Sequence, residues 1–185
     1  MKKIIAFTGS NNSNSLNKQL LNYTTSKITG MAVETIDLRD YELPIYSVDL
    51  EKNAGFPDAL LKLVEKLSQG DGYVIASPEH NGMMSAFLKN TLDWLSRSSS
   101  KYLGEKAPVF LLSTSPGKGG GAGNLAGLER MTTYAGGEVK AHYSLPSFLE
   151  NFKNGQLVNA EENKKLLESV SHFKSAFESA EIDNF

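Results

Sequence analysis

The sequence predicts an α/β domain built on a parallel sheet of five strands in the order 2-1-3-4-5, covered by helices on both faces. Three features of the 185-residue chain carry that expectation. Short apolar runs such as KIIAFT (3–8) and APVFLLS (107–113) lack polar alternation, as strands buried on both faces do. Segments with apolar residues at helical spacing separate these runs. The strand–helix alternation begins with a strand and leaves no room for a sixth unit.

Taken in order, the first strand is KIIAFT, ending at Gly9. Leu16, Leu20, Leu21 and Ile28 then fall on one helical face, giving a helix over about 15–29 with Gly30 as its stop. Val33, Ile36 and Leu38 form the second strand, followed by an irregular segment over 40–57 punctuated by Pro44, Gly55 and Pro57. Residues 57–67 form a helix with Pro57 at its start and Leu60, Leu61, Val64 and Leu67 on one face. Gly70-Asp71-Gly72 turns the chain into the third strand, 73–77, and a loop leads to a helix from about Met84 to Arg97, closed by Ser98, Ser99 and Ser100. After the charged connection 101–106 come the fourth strand, a glycine-rich loop, a helix through Tyr134 and a fifth strand over 138–143. Residues 145–157 are expected to be irregular, and a last helix spans 160–178 with Leu166, Leu167, Val170, Phe173 and Phe177 inward. No internal repeat or linker divides the chain, so one domain is expected over 1–185.

A composition of 40% apolar and 22% charged residues suits a soluble globular protein. The formal net charge of −2 offers no basic footprint for nucleic acid. With zero cysteines the chain has no disulfide, thiolate metal site or Cys nucleophile, so redox chemistry would need a cofactor. The start MKKIIAFTGS lacks a signal-peptide pattern, and no apolar run reaches the roughly 20 residues that span a bilayer, so a cytoplasmic protein with no membrane partner is expected. Three scattered histidines without H-x-x-x-H spacing argue against a metal site.

Strand order 2-1-3 places the loop after the first strand beside the loop after the third, at the sheet's carboxyl edge where such folds bind ligands. The first loop, GSNNSNS (9–15), sets Ser10, Asn12 and Ser15 before a helix amino terminus, where free amides and the helix dipole favour an anion such as phosphate. The competing reading is a polar turn with Ser13 or Ser15 capping the helix. In the second loop His80 is the histidine placed for chemistry, as a contact or proton donor, with plain packing as its alternative. Met83, Met84 and Phe87 form an apolar patch that would cover a ring or meet another subunit. Trp94 is assigned to the core or to a subunit interface, and Asp93 and Arg97, four apart, to a surface or interface pair.

Residues 117–126 satisfy G-x-G-x-x-[GA] twice, yet a dinucleotide fingerprint follows its strand at once and has an acidic residue about 20 positions on, and neither register meets both conditions convincingly. Walker A chemistry is excluded because Gly119 follows Gly117-Lys118 where Ser or Thr is needed. Ser113, Ser115 and Gly117 either bring hydroxyl and backbone groups to a bound cofactor, or the loop is a disordered surface loop. No G-x-S-x-G elbow marks a hydrolase.

GSNNSNSLNKQL (9–20) and SPEHNGMMSAFLKNTLDWLSR (77–97) resemble the two signatures of the NADPH-dependent FMN reductases, a flavodoxin-like family with azoreductase, quinone reductase and chromate reductase members. The resemblance extends from residue 3 to about 143. It implies noncovalent FMN, reduced by NADPH or NADH and reoxidised by a small acceptor such as a quinone, azo compound, free flavin or metal oxyanion. It assigns Ser10, Asn12, Ser15 and Leu16 to the phosphate, and Pro78, Glu79, His80, Asn81 and Gly82 to the isoalloxazine, partly through backbone atoms. Ser113, Ser115 and Gly117 would meet the flavin edge or the nicotinamide. No protein group is assigned to catalysis, since the flavin carries the hydride chemistry. Family members are commonly homodimers or homotetramers with the flavin near an interface, to which a helix bearing Phe87, Asp93 and Trp94 would contribute. The chain departs from the family at Asn12, where many members have arginine, at His80, where tyrosine is usual, and at the bulky Met83-Met84. A flavodoxin-like electron carrier and an FMN-free domain are the alternative readings.

Overall fold

The computed structural model describes residues 1–182. Its central sheet contains β1 (Lys3–Thr8), β2 (Ala32–Thr35), β3 (Gly72–Ala76), β6 (Ala107–Thr114) and β7 (Gly137–Leu145), all parallel, in the order β2-β1-β3-β6-β7. This is the flavodoxin-like 2-1-3-4-5 order, counted over the five sheet strands. One face is covered by α1 (Leu16–Ser26) and α7 (Ala160–Ile182), through residues such as Leu20, Leu21, Leu166 and Phe173. The other is covered by α3 (Asp58–Leu67), α4 (Ala86–Ser98) and α5 (Leu125–Tyr134), through Leu60, Leu63, Leu88, Trp94 and Leu128. Burial on both faces explains why β3 has no exposed residue and why its sequence shows no alternation.

Several expectations need correction. The second strand stops at Thr35; Leu38 instead opens a 3-10 turn, Leu38–Tyr41, capped by the Asp37 carboxylate on the Arg39 amide. Inside the segment expected to be irregular lies α2 (Val48–Ala54), capped by Ser47, with no buried residue to give it a periodic signature. On α3 it is Leu63, not Leu61, that faces the core, Leu61 being 50% exposed. The loop after β3 is a small hairpin, β4 (Glu79–His80) with β5 (Met83–Met84), turned by Asn81 (φ 53°) and Gly82 (φ 77°). Positive φ at both turn residues is what a two-residue hairpin needs and what Asn-Gly supplies.

Residues 145–157 contain a short helix, α6 (Phe148–Asn151), and a second hairpin, β8 (Phe152–Lys153) with β9 (Gln156–Leu157), so this part is ordered around the stacked Phe148 and Phe152 rings. On α7 Leu166 is buried whereas Leu167 is 43% exposed. The expectation of one domain over 1–185 includes residues 183–185, which lie outside the described residues. Among the described residues no helix is long and apolar enough to cross a membrane.

Candidate functional site

The strand ends at the carboxyl edge of the sheet are tied together by backbone bonds. The Gly9 amide donates to the Ala76 carbonyl (2.8 Å), and the Ser77 amide donates to Leu112 (2.9 Å). Three buried polar side chains then cross-link the loops above. Ser85, the N-cap of α4, accepts from the Leu88 amide and donates to the Gly9 carbonyl, pinning the first loop to α4. Gly9 is required there, since a Cβ would stand 2.6 Å from Leu88 Cβ. Asn17, in the first turn of α1, donates Nδ2 to the Thr114 carbonyl and accepts the Thr114 amide, both at 3.0 Å. Asn124 donates Nδ2 to Gly121 O (2.8 Å), Ser113 Oγ (3.1 Å) and Ser77 O (3.4 Å). Each cross-link joins side chain to backbone of a different loop, so the rim is held before any ligand arrives.

Between these loops is a cavity of about 340 Å³, within the usual range for small-molecule sites. It is lined by Ser10, Asn12, Ser15 and Leu16 from the first loop, Pro78, Glu79 and His80 from the second, and Ser115 beyond β6. These are eight of the twelve residues singled out from sequence. Asn81 and Gly82 form the exposed hairpin tip and do not line it. Ser113 is fully buried beneath, its Oγ donating to Ser77 O (2.8 Å) and accepting from Asn124. Gly117 stands just outside, its carbonyl accepting from the Ser147 amide (2.9 Å). The glycine-rich loop is folded rather than loose: Gly121, in the left-handed region (φ 76°), leaves no room for a Cβ against Ser113.

Sequence reasoning missed Asn11, Asn17, Thr114 and Pro116, which also line the cavity. Asn11 and Pro116 sit beside residues already singled out. Asn17 and Thr114 carried no local signal, because each finds its buried partner 97 positions away.

At the head of α1, Ser15 Oγ caps the Lys18 amide (3.2 Å) and its carbonyl accepts from Gln19. The amides of Leu16 and Asn17, in the first turn, have no intrahelical carbonyl to bond, an arrangement that favours an anion. Ser15 therefore serves as N-cap, as the bland reading expected, and lines the cavity as well. No Lys or Arg lines this cavity. Lys18, in the first turn of α1, pairs with Asp37 (2.8 Å), which also pairs with Arg39. Hydrogen bonding by Arg39, with Lys18 adding to it, holds the Asp37 carboxyl well below the usual carboxylate range. An anion here would be held by neutral donors and the α1 dipole. Two buried oxygens near the strand ends, Thr8 Oγ1 and Asn124 Oδ1, have no partner among the described residues.

Other expectations change. Asp93 pairs with Lys89 and Arg97 with Glu51, rather than with each other. Trp94 is wholly in the core, edge-on to Tyr46, with Nε1 donating to Pro44 O (2.8 Å), so its side chain cannot form an interface. Met84 is buried, leaving Met83, 59% exposed, as the apolar group at the hairpin. His142 and His172 line a larger cavity, about 740 Å³, along the α5, β7 and α7 side. There Glu162 is already engaged by Lys165 and Tyr143, and the loops after β1 and β3 do not reach it. Among the described residues no group of His, Cys, Asp or Glu is arranged to hold a metal.

The family model for NADPH-dependent FMN reductase matches residues 2–145. An NADPH:quinone oxidoreductase of Arabidopsis thaliana is 34% identical over 123 residues, covering 64% of this chain and 61% of the relative. A quinone reductase of Escherichia coli K12 is 35% identical over 121 residues, covering 65% of this chain and 63% of the relative. The chain thus spans about three fifths of the length of these two reductases. Among solved structures, FerB, an NAD(P)H:(acceptor) oxidoreductase from Paracoccus denitrificans, superposes with a TM-score of 0.75 at 26% identity, over 94% of this chain and 95% of that one. With the family model matched from β1 to the end of β7, the chain belongs to the NADPH-dependent FMN reductase family, whose members use FMN with NAD(P)H.

Proposed function

We propose that this chain is an NAD(P)H-dependent oxidoreductase holding FMN in the cavity at the carboxyl edge of β1, β3 and β6. The observation that carries the reading is the meeting of two loops in that cavity. One is the α1 head with Ser10, Asn12, Ser15 and Leu16; the other is Pro78–His80 with Ser115 opposite. The donor set fits a flavin phosphate, because hydroxyls, an Asn amide and first-turn N–H groups converge without a buried carboxylate among the first-loop residues.

In this assignment the first loop binds the phosphate, and the backbone of Pro78–His80 walls the ring. Asn81 and Gly82 shape that wall by turning the hairpin, and Ser113 supports it from below. Ser115 and Gly117 edge the opening on the far side. Bound FMN supplies the hydride and electron chemistry between NAD(P)H and a small acceptor of the quinone, azo, free flavin or metal oxyanion class. The protein's contribution is position and exclusion of water. His80 is exposed and shapes the mouth of the cavity.

The unit is proposed to be one domain and to assemble as a homodimer or homotetramer, with the exposed Met83 on the hairpin and the exposed Ile45, which lines a neighbouring cavity, as apolar groups. Light scattering on the purified protein tests the assembly. The functional test is spectral: FMN-loaded protein should be yellow and bleach anaerobically with NADPH or NADH. Failure to bleach would remove the reductase reading, and failure of Ser10→Ala with Ser15→Ala to weaken FMN binding would remove the phosphate loop from it.

A further inference from the structure

The glycine-rich loop has the context of neither a dinucleotide site nor a Walker A loop, yet its last turn reaches the wall of the cavity. Glu79 Oε2 accepts the backbone amide of Asn124 at 3.0 Å. The carboxylate lies directly over Gly123, where a Cβ would come within 2.8 Å of the same oxygen. Asn124 is 1% exposed, and its side-chain amide in turn holds Gly121 O, Ser113 Oγ and Ser77 O. The two residues that flank Pro78 are therefore gripped by one residue of the far loop: Ser77 through its carbonyl, Glu79 through its carboxylate. Pro78 has no N–H and a fixed φ, so gripping its neighbours fixes the whole peptide wall.

We infer that Glu79 and Asn124 are positioning residues that latch the glycine-rich loop to the Pro78–His80 wall and set the wall's place against the flavin ring. The inference rests on the reading of this cavity as the FMN site. It reassigns the carboxylate of Glu79 from a ring contact to the latch, and gives the glycines at 121 and 123 a purpose: they let Ser113 and Glu79 approach the loop backbone closely.

The test is a titration of apo protein with FMN, followed by quenching of flavin fluorescence and by visible circular dichroism of the bound flavin. Glu79→Gln keeps an acceptor for the Asn124 amide and should bind FMN within about threefold of the parent, since the neutral amide loses only charge assistance. Glu79→Ala and Gly123→Ala should each weaken binding by about tenfold or more and alter the flavin dichroism, because a positioned wall is lost. Gly123 lies outside the left-handed region, so alanine is allowed there by the backbone and acts only by displacing the carboxylate. Asn124→Ala should behave like Glu79→Ala at a larger cost in stability. Parental affinity and dichroism in both Glu79→Ala and Gly123→Ala overturn the latch while leaving the FMN site intact. A folded parent protein that binds no FMN overturns the site reading itself, and the latch with it.

Discussion

Replacing Asn17 by alanine removes the clamp between the α1 head and the loop after β6. Asn17 is 3% exposed and Thr114 2% exposed, and the two share a reciprocal pair of hydrogen bonds at 3.0 Å. Each bond contributes about 1 kcal/mol net, and leaving the Thr114 amide and carbonyl unpaired adds about 1–3 kcal/mol per group where water cannot reach. Both residues border the cavity, so water replaces part of what is lost. The expected destabilisation is about 2–4 kcal/mol. With a urea m-value of about 2 kcal/mol/M, the unfolding midpoint should fall by about 1–2 M at unchanged m. Asn17→Asp separates stability from binding: it keeps the acceptor for the Thr114 amide, but sets a carboxylate against the Thr114 carbonyl at the helix start proposed to hold the phosphate. FMN affinity should therefore fall further in Asn17→Asp than in Asn17→Ala. A destabilisation below about 0.5 kcal/mol in Asn17→Ala would show that the clamp does not hold the rim.

Gly9→Ala drives a methyl group to 2.6 Å from Leu88 Cβ and should cost about 1–3 kcal/mol by overpacking, with weaker FMN binding, as thermal melts and flavin titration would record. Stability should also decline in alkali. Burial, with a smaller effect from Asp71, pushes the Tyr73 phenol up to about 12 from 10.0, so its contribution is complete below pH 10 and lost as pH rises through 12. Tyr73→Phe should flatten that part of the curve in urea midpoints taken across the range, although it also loses the bond to Leu67 O. In acid the sign reverses at Asp37. Arg39 and then Lys18 hold its carboxyl low, so its contribution is present above about pH 4 and lost as pH falls below it. Asp37→Asn should flatten the acid limb, and an unchanged limb would show that the trio adds nothing to folding.

The architecture and the neighbourhood of the candidate site were legible along the chain. KIIAFT, GYVIA and APVFLLST lie where their apolar runs placed them, because a strand buried on both faces must be continuously apolar. The order of alternation then puts the loops after β1 and β3 side by side. The two signatures pointed to the same loops, and eight of the twelve singled-out residues share one cavity.

Other features arise from packing between distant segments. The Glu79–Met84 hairpin has strands of two residues, too short for any alternation to show. Helix α2 buries nothing, so its periodicity was absent. Leu61 and Leu167 lie one position from the buried residues that end one helical face, and packing alone chose between neighbours. The ion pairs moved for a similar reason: Arg97 found Glu51 on α2, 46 positions away, which helical spacing cannot see. Asn17, Ser85 and Asn124 are ordinary polar residues in sequence. Their function in the rim arises from backbone groups that the fold brings to them from distant loops, and hydrogen bonds of that kind leave no pattern along the chain.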